Sequence, residues 1–234
     1  MSSPAHDVQY SLREYLSFEA SSNVKHEYLG GQIYAMAGGT PEHAALAAAF
    51  LGQLYAQLLG GPCRPYDADL RVRVQATNVL TYPDVTVVSG PVQRDREDPL
   101  ATVNPTLICE VLSESTERYD RGAKFEHYKN LPLLKQYVLV SHRDRIVEVW
   151  TRGDCEEWTR GVAREGEAIE LSSIRARIDV RELYEAAAEP SALRLSPRPM
   201  TRVPSAPARP LARGFAAPVD APHARVTTAA RGCS

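Results

Sequence analysis

The sequence predicts a mixed α/β domain, a mixed sheet of short strands with helices packed on it. Apolar residues recur at three- and four-residue spacing in some segments and at two-residue spacing in others. Several apolar runs are too short for helices and too rich in β-branched residues for loops. Helical and strand patterns alternate along the chain, as they do when helices cover a sheet.

Ser11 precedes an amphipathic stretch, LREYLSFEA, that reads as a short helix, and HEYLGGQIYAM reads as two short strands around a Gly30-Gly31 turn. A longer helix follows, with Thr40 suited to the N-cap, Pro41 to the first helical position and Gly60 to the stop. Its apolar stripe is Ala47, Phe50, Leu51, Leu54 and Leu58. The period then changes to two in ADLRVRVQ, where Leu70, Val72 and Val74 alternate with Asp69, Arg71 and Arg73, the mark of a half-buried strand. YPDVTVVSG and TLICEVLS read as central strands. A helix over about residues 117–130, ended by Pro132, separates them from QYVLVS and RIVEVWTR, two strands joined by the polar turn HRD. EEWTRGVA and ARIDVRELYEAA close the domain, which spans residues 1–187.

Residues 188–234 are rich in Pro, Ala and Arg, lack either period, and read as a disordered tail. Charge divides at the same point. The whole chain of 234 residues carries −2; the tail has seven arginines against Glu189 and Asp220, a net +5, which leaves −7 on the body. A mildly acidic body argues against avid, nonspecific binding of nucleic acid through phosphate neutralisation. Cys63, Cys109, Cys155 and Cys233 form no CxxC pair, which excludes a zinc knuckle or a disulfide framework as the organising device. The N-terminus lacks the pattern of a secretory signal and no long apolar run occurs, so a cytoplasmic location without a membrane span is expected.

Two carboxylates interrupt apolar strands: Asp84, directly after Pro83, and Glu110, between Cys109 and Val111. A buried carboxylate is costly unless it is paired, hydrogen-bonded or bound to a metal. If the two strands are sheet neighbours, both carboxylates come within reach of one hard cation. Mg²⁺ typically takes one or two carboxylates and leaves its other positions to water and phosphate oxygens. That is the ligand set of a phosphodiester hydrolase.

The succession YPD at 82–84, PTLICEVLS at 105–113, then Asp120, Lys124 and Tyr128, then KQYVLVS and RIVEVW, with KHEYLGGQIYAMAGGTPEHA at the front, resembles the Uma family of endonucleases within the PD-(D/E)xK restriction-endonuclease-like superfamily. The resemblance runs from about Val8 to Ala187. It implies a restriction-endonuclease-like core with a central mixed sheet flanked by helices, a Mg²⁺-dependent nuclease centre in which Mn²⁺ can substitute, a nucleic-acid substrate with DNA favoured over RNA, and a homodimer. It makes Asp84 and Glu110 the metal ligands. The superfamily's usual pattern then sets a lysine two residues after the glutamate, but here that residue is Leu112, on the same strand face as Glu110. Lys124, on the following helix, is the substitute the family resemblance suggests.

Asp120, Lys124 and Tyr128 fall at i, i+4 and i+8 and share a helix face, from which Tyr128 can support the centre. His43 lies at the start of the apolar stripe, and Glu27 could add a carboxylate from the first hairpin. Each residue also has a plainer reading. Asp84 fits a Pro-Asp turn and Lys124 a solvated lysine paired with Asp120. His43 fits a first-turn polar residue, Tyr128 packing, Glu27 a surface hairpin carboxylate, and Arg71 and Arg73 a solvated strand face. Two other functions stay open: a nuclease-like nucleic-acid-binding module whose centre has decayed, and a metal-dependent hydrolase of small phosphoesters. No Cys or Ser sits in a nucleophile motif such as GxSxG.

Overall fold

A computed structural model describes residues 8–36 and 38–189. The expectation of a disordered tail falls, apart from its first two residues, outside them. Helix α1 (Leu12–Ser21) begins with a capping box, in which the Ser11 hydroxyl accepts from the Glu14 N–H and the Glu14 carboxylate accepts from the Ser11 N–H at 2.7 Å. Strands β1 (His26–Leu29) and β2 (Gln32–Ala35) form the expected hairpin, with Gly30 and Gly31 at φ +56° and +109°, backbone that side chains rarely allow. Helix α2 (Pro41–Leu58) is capped by the Thr40 side chain, which accepts from the His43 N–H. Its core face is Leu46, Phe50, Leu54 and Leu58, while Ala47 and Leu51 flank it half-buried, a rotation of the stripe by one position from the expected one.

The remaining strands are β3 (Cys63–Tyr66), β4 (Arg71–Val74), β5 (Val79–Thr81), β6 (Val85–Ser89), β7 (Ala101–Thr102), β8 (Leu107–Val111), β9 (Gln136–Val140), β10 (Ile146–Arg152), β11 (Trp158–Arg164), β12 (Ala168–Leu171) and β13 (Ala176–Asp179), followed by helix α3 (Val180–Ala187). They build two main sheets. The larger runs β11-β10-β9-β8-β6-β3 and the smaller β2-β1-β5-β4-β7, with β12 and β13 paired apart. The short strands β3, β5, β7 and β12 escape a periodicity search, and β3 carries Pro65 where only an edge strand tolerates it.

Every pairing in the six-stranded sheet is antiparallel except β8 with β9. A parallel pair needs a long crossover. It is supplied by a helical segment, Glu117–Tyr119, Asp120–Lys124 and Phe125–Tyr128, whose middle part is a π-turn. A continuous α-helix over this stretch is therefore corrected.

The pleat sorts side chains to two cores. Val85, Val87, Leu107, Cys109, Val111, Val138 and Val140 face a cluster covered by α2 and α3. Ile108, Leu112, Tyr137 and Leu139 face the opposite cluster, where Phe125, Tyr128 and Leu131 of the crossover pack and Val72, Val74 and Val79 of the smaller sheet close over them. Leu112 thus lies on the Glu110 side of its strand, as the period of two requires.

Arg71 and Arg73 are not a solvated face. Arg73 is buried and donates to the Val79 carbonyl (3.2 Å) and Asn78 Oδ1 (2.8 Å), and Arg71 pairs with Asp98 Oδ2 at 2.9 Å. Strand β4 has neighbours on both sides, and the loop carrying Asp98 folds back on it. Cys109 is buried, and Cys63, Cys109 and Cys155 are free thiols. Among the described residues no helix is long and apolar enough to cross a membrane.

Candidate active site

The β6–β8 register pairs Val85 with Cys109, so one step further along the two strands Asp84 stands opposite Glu110. Their side chains interlock with the backbone: the Val111 N–H donates to Asp84 Oδ2 at 2.7 Å, and the Asp84 N–H lies 3.4 Å from Glu110 Oε2. Two like charges facing each other across a strand pair repel. The fold keeps them there with donors from α2 and from the helical crossover. His43, in the first turn of α2, sets Nε2 3.3 Å from Asp84 Oδ2. Gly39 lets the preceding loop pass over that ring, since a Cβ there would stand 2.7 Å from His43 Nδ1.

On the opposite side of the sheet, Tyr128 donates to Glu110 Oε1 at 2.9 Å, and its own oxygen lies 2.9 Å from the Thr81 hydroxyl. Lys124 Nζ is 2.9 Å from Glu110 Oε1, 3.1 Å from Glu27 Oε1 and 3.5 Å from Asp120 Oδ1, so an ammonium with three protons meets three carboxylates. All three contacts are ion pairs without hydrogen-bond geometry. Only 6% of the Lys124 side chain and 5% of the Glu110 side chain are exposed, so water screens this pair little. Glu27 is buried, not the surface carboxylate of an ordinary hairpin, because the smaller sheet turns that face of β1 toward the crossover.

The π-turn shapes this geometry. Residues five apart on an α-helix point about 140° away from each other, and the wider π-turn narrows that angle. Lys124 Nζ accordingly lies 5.8 Å from the centre of the Tyr119 ring. The Tyr137 hydroxyl donates to the Asp120 carbonyl at 3.0 Å, holding the turn from β9.

Burial pushes the Glu110 carboxyl up to about 8, with Lys124 opposing and Asp120, Asp84 and Glu27 adding to the rise. Asp120 is raised as well, again chiefly by burial. Burial also disfavours the Lys124 ammonium, but Glu110, Glu27 and Asp120 outweigh it and hold the group well above the usual lysine range. The His43 imidazole is raised by its hydrogen bond to Asp84.

Four carboxyl groups around one lysine and one histidine suit a cation. Asp84 Oδ1 receives no hydrogen bond from the described residues, and Glu110 Oε2 receives only the long one. Both are hard oxygen donors of the kind Mg²⁺ takes. Among the described residues no three His, Cys, Asp or Glu side chains are grouped so as to hold an ion unaided, so an ion here would complete its shell with water or substrate oxygens.

The family described as "Uma2: Putative restriction endonuclease" matches residues 12–180. The chain belongs to the Uma2 family. It is 37% identical over 174 residues to the "Uncharacterized protein slr1290" of Synechocystis sp. (strain ATCC 27184 / PCC 6803 / Kazusa), covering 74% of this chain and 90% of that protein. It is 28% identical over 145 residues to the "Uncharacterized protein sll1609" of the same organism, covering 62% and 82%. A solved structure, "a putative nuclease belonging to DUF820 from Anabaena variabilis ATCC 29413", superposes with a TM-score of 0.64 over 76% of this chain and 99% of that one. At 15% identity that likeness speaks to the fold.

In this Uma2 chain the seven residues singled out by sequence, Glu27, His43, Asp84, Glu110, Asp120, Lys124 and Tyr128, come together at one end of the larger sheet. Thr81, Tyr119 and Tyr137 join them without having been foreseen. Thr81 has no signal beyond its place in a short strand. Tyr119 is concealed by the π-turn, since α-helical spacing sets it on another face from Lys124, and Tyr137 by its place on a distant strand.

Proposed function

We propose that this Uma2 chain is a divalent-metal-dependent endonuclease that hydrolyses phosphodiester bonds in DNA, with Mg²⁺ as the ion and Mn²⁺ as its substitute. The observation that carries the reading is the approach of Lys124 Nζ to within 2.9 Å of Glu110 Oε1, beside Asp84. It supplies the ammonium that Leu112 withholds, and it favours a working centre over a decayed one. Asp84 and Glu110 would hold the ion. When bound, the ion lowers the pKa of a water and offsets charge on the phosphate.

The chain's own groups do the rest. Lys124 orients the attacking water and stabilises the pentacovalent phosphate as negative charge builds. Tyr128 and Thr81 hold the Glu110 carboxylate, and His43 holds Asp84. Glu27 and Asp120 keep Lys124 protonated and aimed at Glu110. A cytoplasmic homodimer belongs to the same reading.

The test is a cleavage screen on plasmid DNA, single-stranded DNA and RNA with Mg²⁺ or Mn²⁺, comparing wild type with Asp84→Ala and Glu110→Ala. DNA cleavage that needs the ion and vanishes in both variants, whose circular dichroism stays native, supports the proposal. Ion binding without cleavage would assign a binding module, cleavage of mononucleotide esters alone a small phosphoesterase, and cleavage indifferent to both substitutions would overturn the assignment of the site.

A further inference from the structure

A second buried polar network lies behind the carboxylates, and nothing in the proposed chemistry uses it. Glu19, near the end of α1, is 8% exposed and His26, the first residue of β1, is 9% exposed. The Glu19 carboxylate accepts from the Tyr82 hydroxyl at 2.6 Å and from the His26 backbone N–H at 3.1 Å, and lies 2.9 Å from His26 Nδ1. The Tyr15 hydroxyl donates to the His26 carbonyl at 2.7 Å, tying the same helix to the same strand residue.

The two residues that Glu19 grips are each next to the candidate centre. Tyr82 is followed by Pro83, whose φ is locked by its ring, and then by Asp84. His26 is followed by Glu27, which points to the other face of β1 and reaches Lys124. The Tyr82 ring is held from further directions: Lys25 Nζ is 5.4 Å and the Arg71 guanidinium 5.7 Å from its centre. Both cations are anchored, Lys25 to Asp69 and the Ala68 carbonyl and Arg71 to Asp98. Tyr82 therefore has little freedom to swing, and through rigid Pro83 neither does Asp84.

An ionisable network in this position is an expensive way to hold a helix on a sheet. Well-packed apolar residues of the same volume often give equal or greater stability. What apolar packing does not supply is direction, and three short bonds to one carboxylate fix the hydroxyl of Tyr82 and the backbone of His26 relative to each other. Both arms of the centre, the Asp84 arm from the larger sheet and the Glu27 arm from the smaller, are thereby referred to one atom group.

We infer that Glu19 is a positioning residue for the Asp84–Glu110 centre, acting through Tyr82 on Asp84 and through His26 on Glu27. This rests on the reading that Asp84 and Glu110 bind a divalent ion.

Tyr82→Phe and Glu19→Gln test it in the full chain. Tyr82→Phe keeps the ring between its cations and removes the hydroxyl that donates to Glu19. Glu19→Gln keeps the shape and one accepting oxygen. Mn²⁺ affinity, read by titration calorimetry, and kcat and KM for DNA are measured alongside the melting temperature. The expected result is a loss of about 10–100-fold in Mn²⁺ affinity or kcat for Tyr82→Phe, the range typical of partners that orient metal ligands, with KM little changed. Glu19→Gln shows a smaller loss, and Glu19→Ala a loss at least as large as Tyr82→Phe. Lower melting temperatures with unchanged Mn²⁺ affinity and kcat in all three variants would leave Glu19 a purely structural residue and overturn the inference. Wild-type protein that binds no Mn²⁺ and cleaves nothing fails the metal-site reading itself, and the inference with it.

Discussion

Lys124 Nζ stands 2.9 Å from Glu110 Oε1 although one belongs to a helical crossover and the other to a strand. The contact follows from topology. Because β8 and β9 are parallel, the chain must leave the end of β8 and return across the sheet, and it does so over the face on which Glu110 lies.

Lys124→Met leaves Glu27, Glu110 and Asp120 crowded in a buried space with no countercharge. Breaking a buried pair by removing one partner costs about 3–5 kcal/mol. Proton uptake by Glu110 relieves part of this, so the loss of stability is greater at about pH 8.5 than at about pH 6. Urea denaturation at the two pH values measures the difference, and cleavage falls to background at both.

The metal-free protein loses stability as pH rises through the neutral range. Glu110 has a folded pKa raised to about 8 from an ordinary 4.5, so between those values the folded form binds the extra proton and stability falls with increasing pH. His43 is raised from 6.5, and its contribution, complete below that value, is likewise lost as pH rises. Lys124 is raised too, but its contribution is intact throughout this window. Scanning calorimetry with a chelator present should show the melting temperature falling from about pH 6 to about pH 8.5, each 1 kcal/mol corresponding to about 2–4 °C in a domain of this size. Glu110→Gln flattens the slope; an equally steep slope in that variant would place the proton elsewhere.

Tyr128→Phe strips Glu110 of a hydrogen bond and leaves Thr81 unpaired in the core. The cost is about 1–3 kcal/mol. Thr81→Val in the same background recovers part of it, because the stranded hydroxyl is removed. A double-mutant cycle on the pair returns a coupling of about 0.5–3 kcal/mol, and strict additivity would show that the two hydroxyls do not interact.

Leu112→Lys restores the strand lysine of the usual superfamily pattern and should fail. Leu112 is 1% exposed and packs in the cluster with Phe125 and Tyr128. A second ammonium there displaces apolar packing and competes with Lys124 for the same carboxylates, and an incompletely paired buried ion costs several kcal/mol. The same substitution combined with Lys124→Met should recover some of the lost melting temperature. No recovery would mean that the strand position cannot reach the carboxylates.

Much of this was legible in the chain. Ser11, Thr40 and Pro41 marked helix starts through caps that need only neighbouring residues, and the alternation around Val72 and Val74 marked a strand. Asp84 and Glu110 stood out because a carboxylate inside a β-branched run needs compensation wherever the run folds. The resemblance set a lysine two residues after Glu110, the chain has Leu112 there, and the period of two put Leu112 on the Glu110 face.

What the sequence could not carry was the pairing of distant segments. That β6 lies beside β8, that the smaller sheet turns Glu27 inward, and that α1 lends Glu19 to Tyr82 are outcomes of long-range closure and summed burial. The π-turn was hidden for a related reason: such turns are rare, and the Asp120 carbonyl in this one is taken by Tyr137 of a different strand. The sequence by itself determined which residues could not be left uncompensated. Tertiary structure decided what compensates them, because a buried charge has an energy only in relation to the groups that surround it.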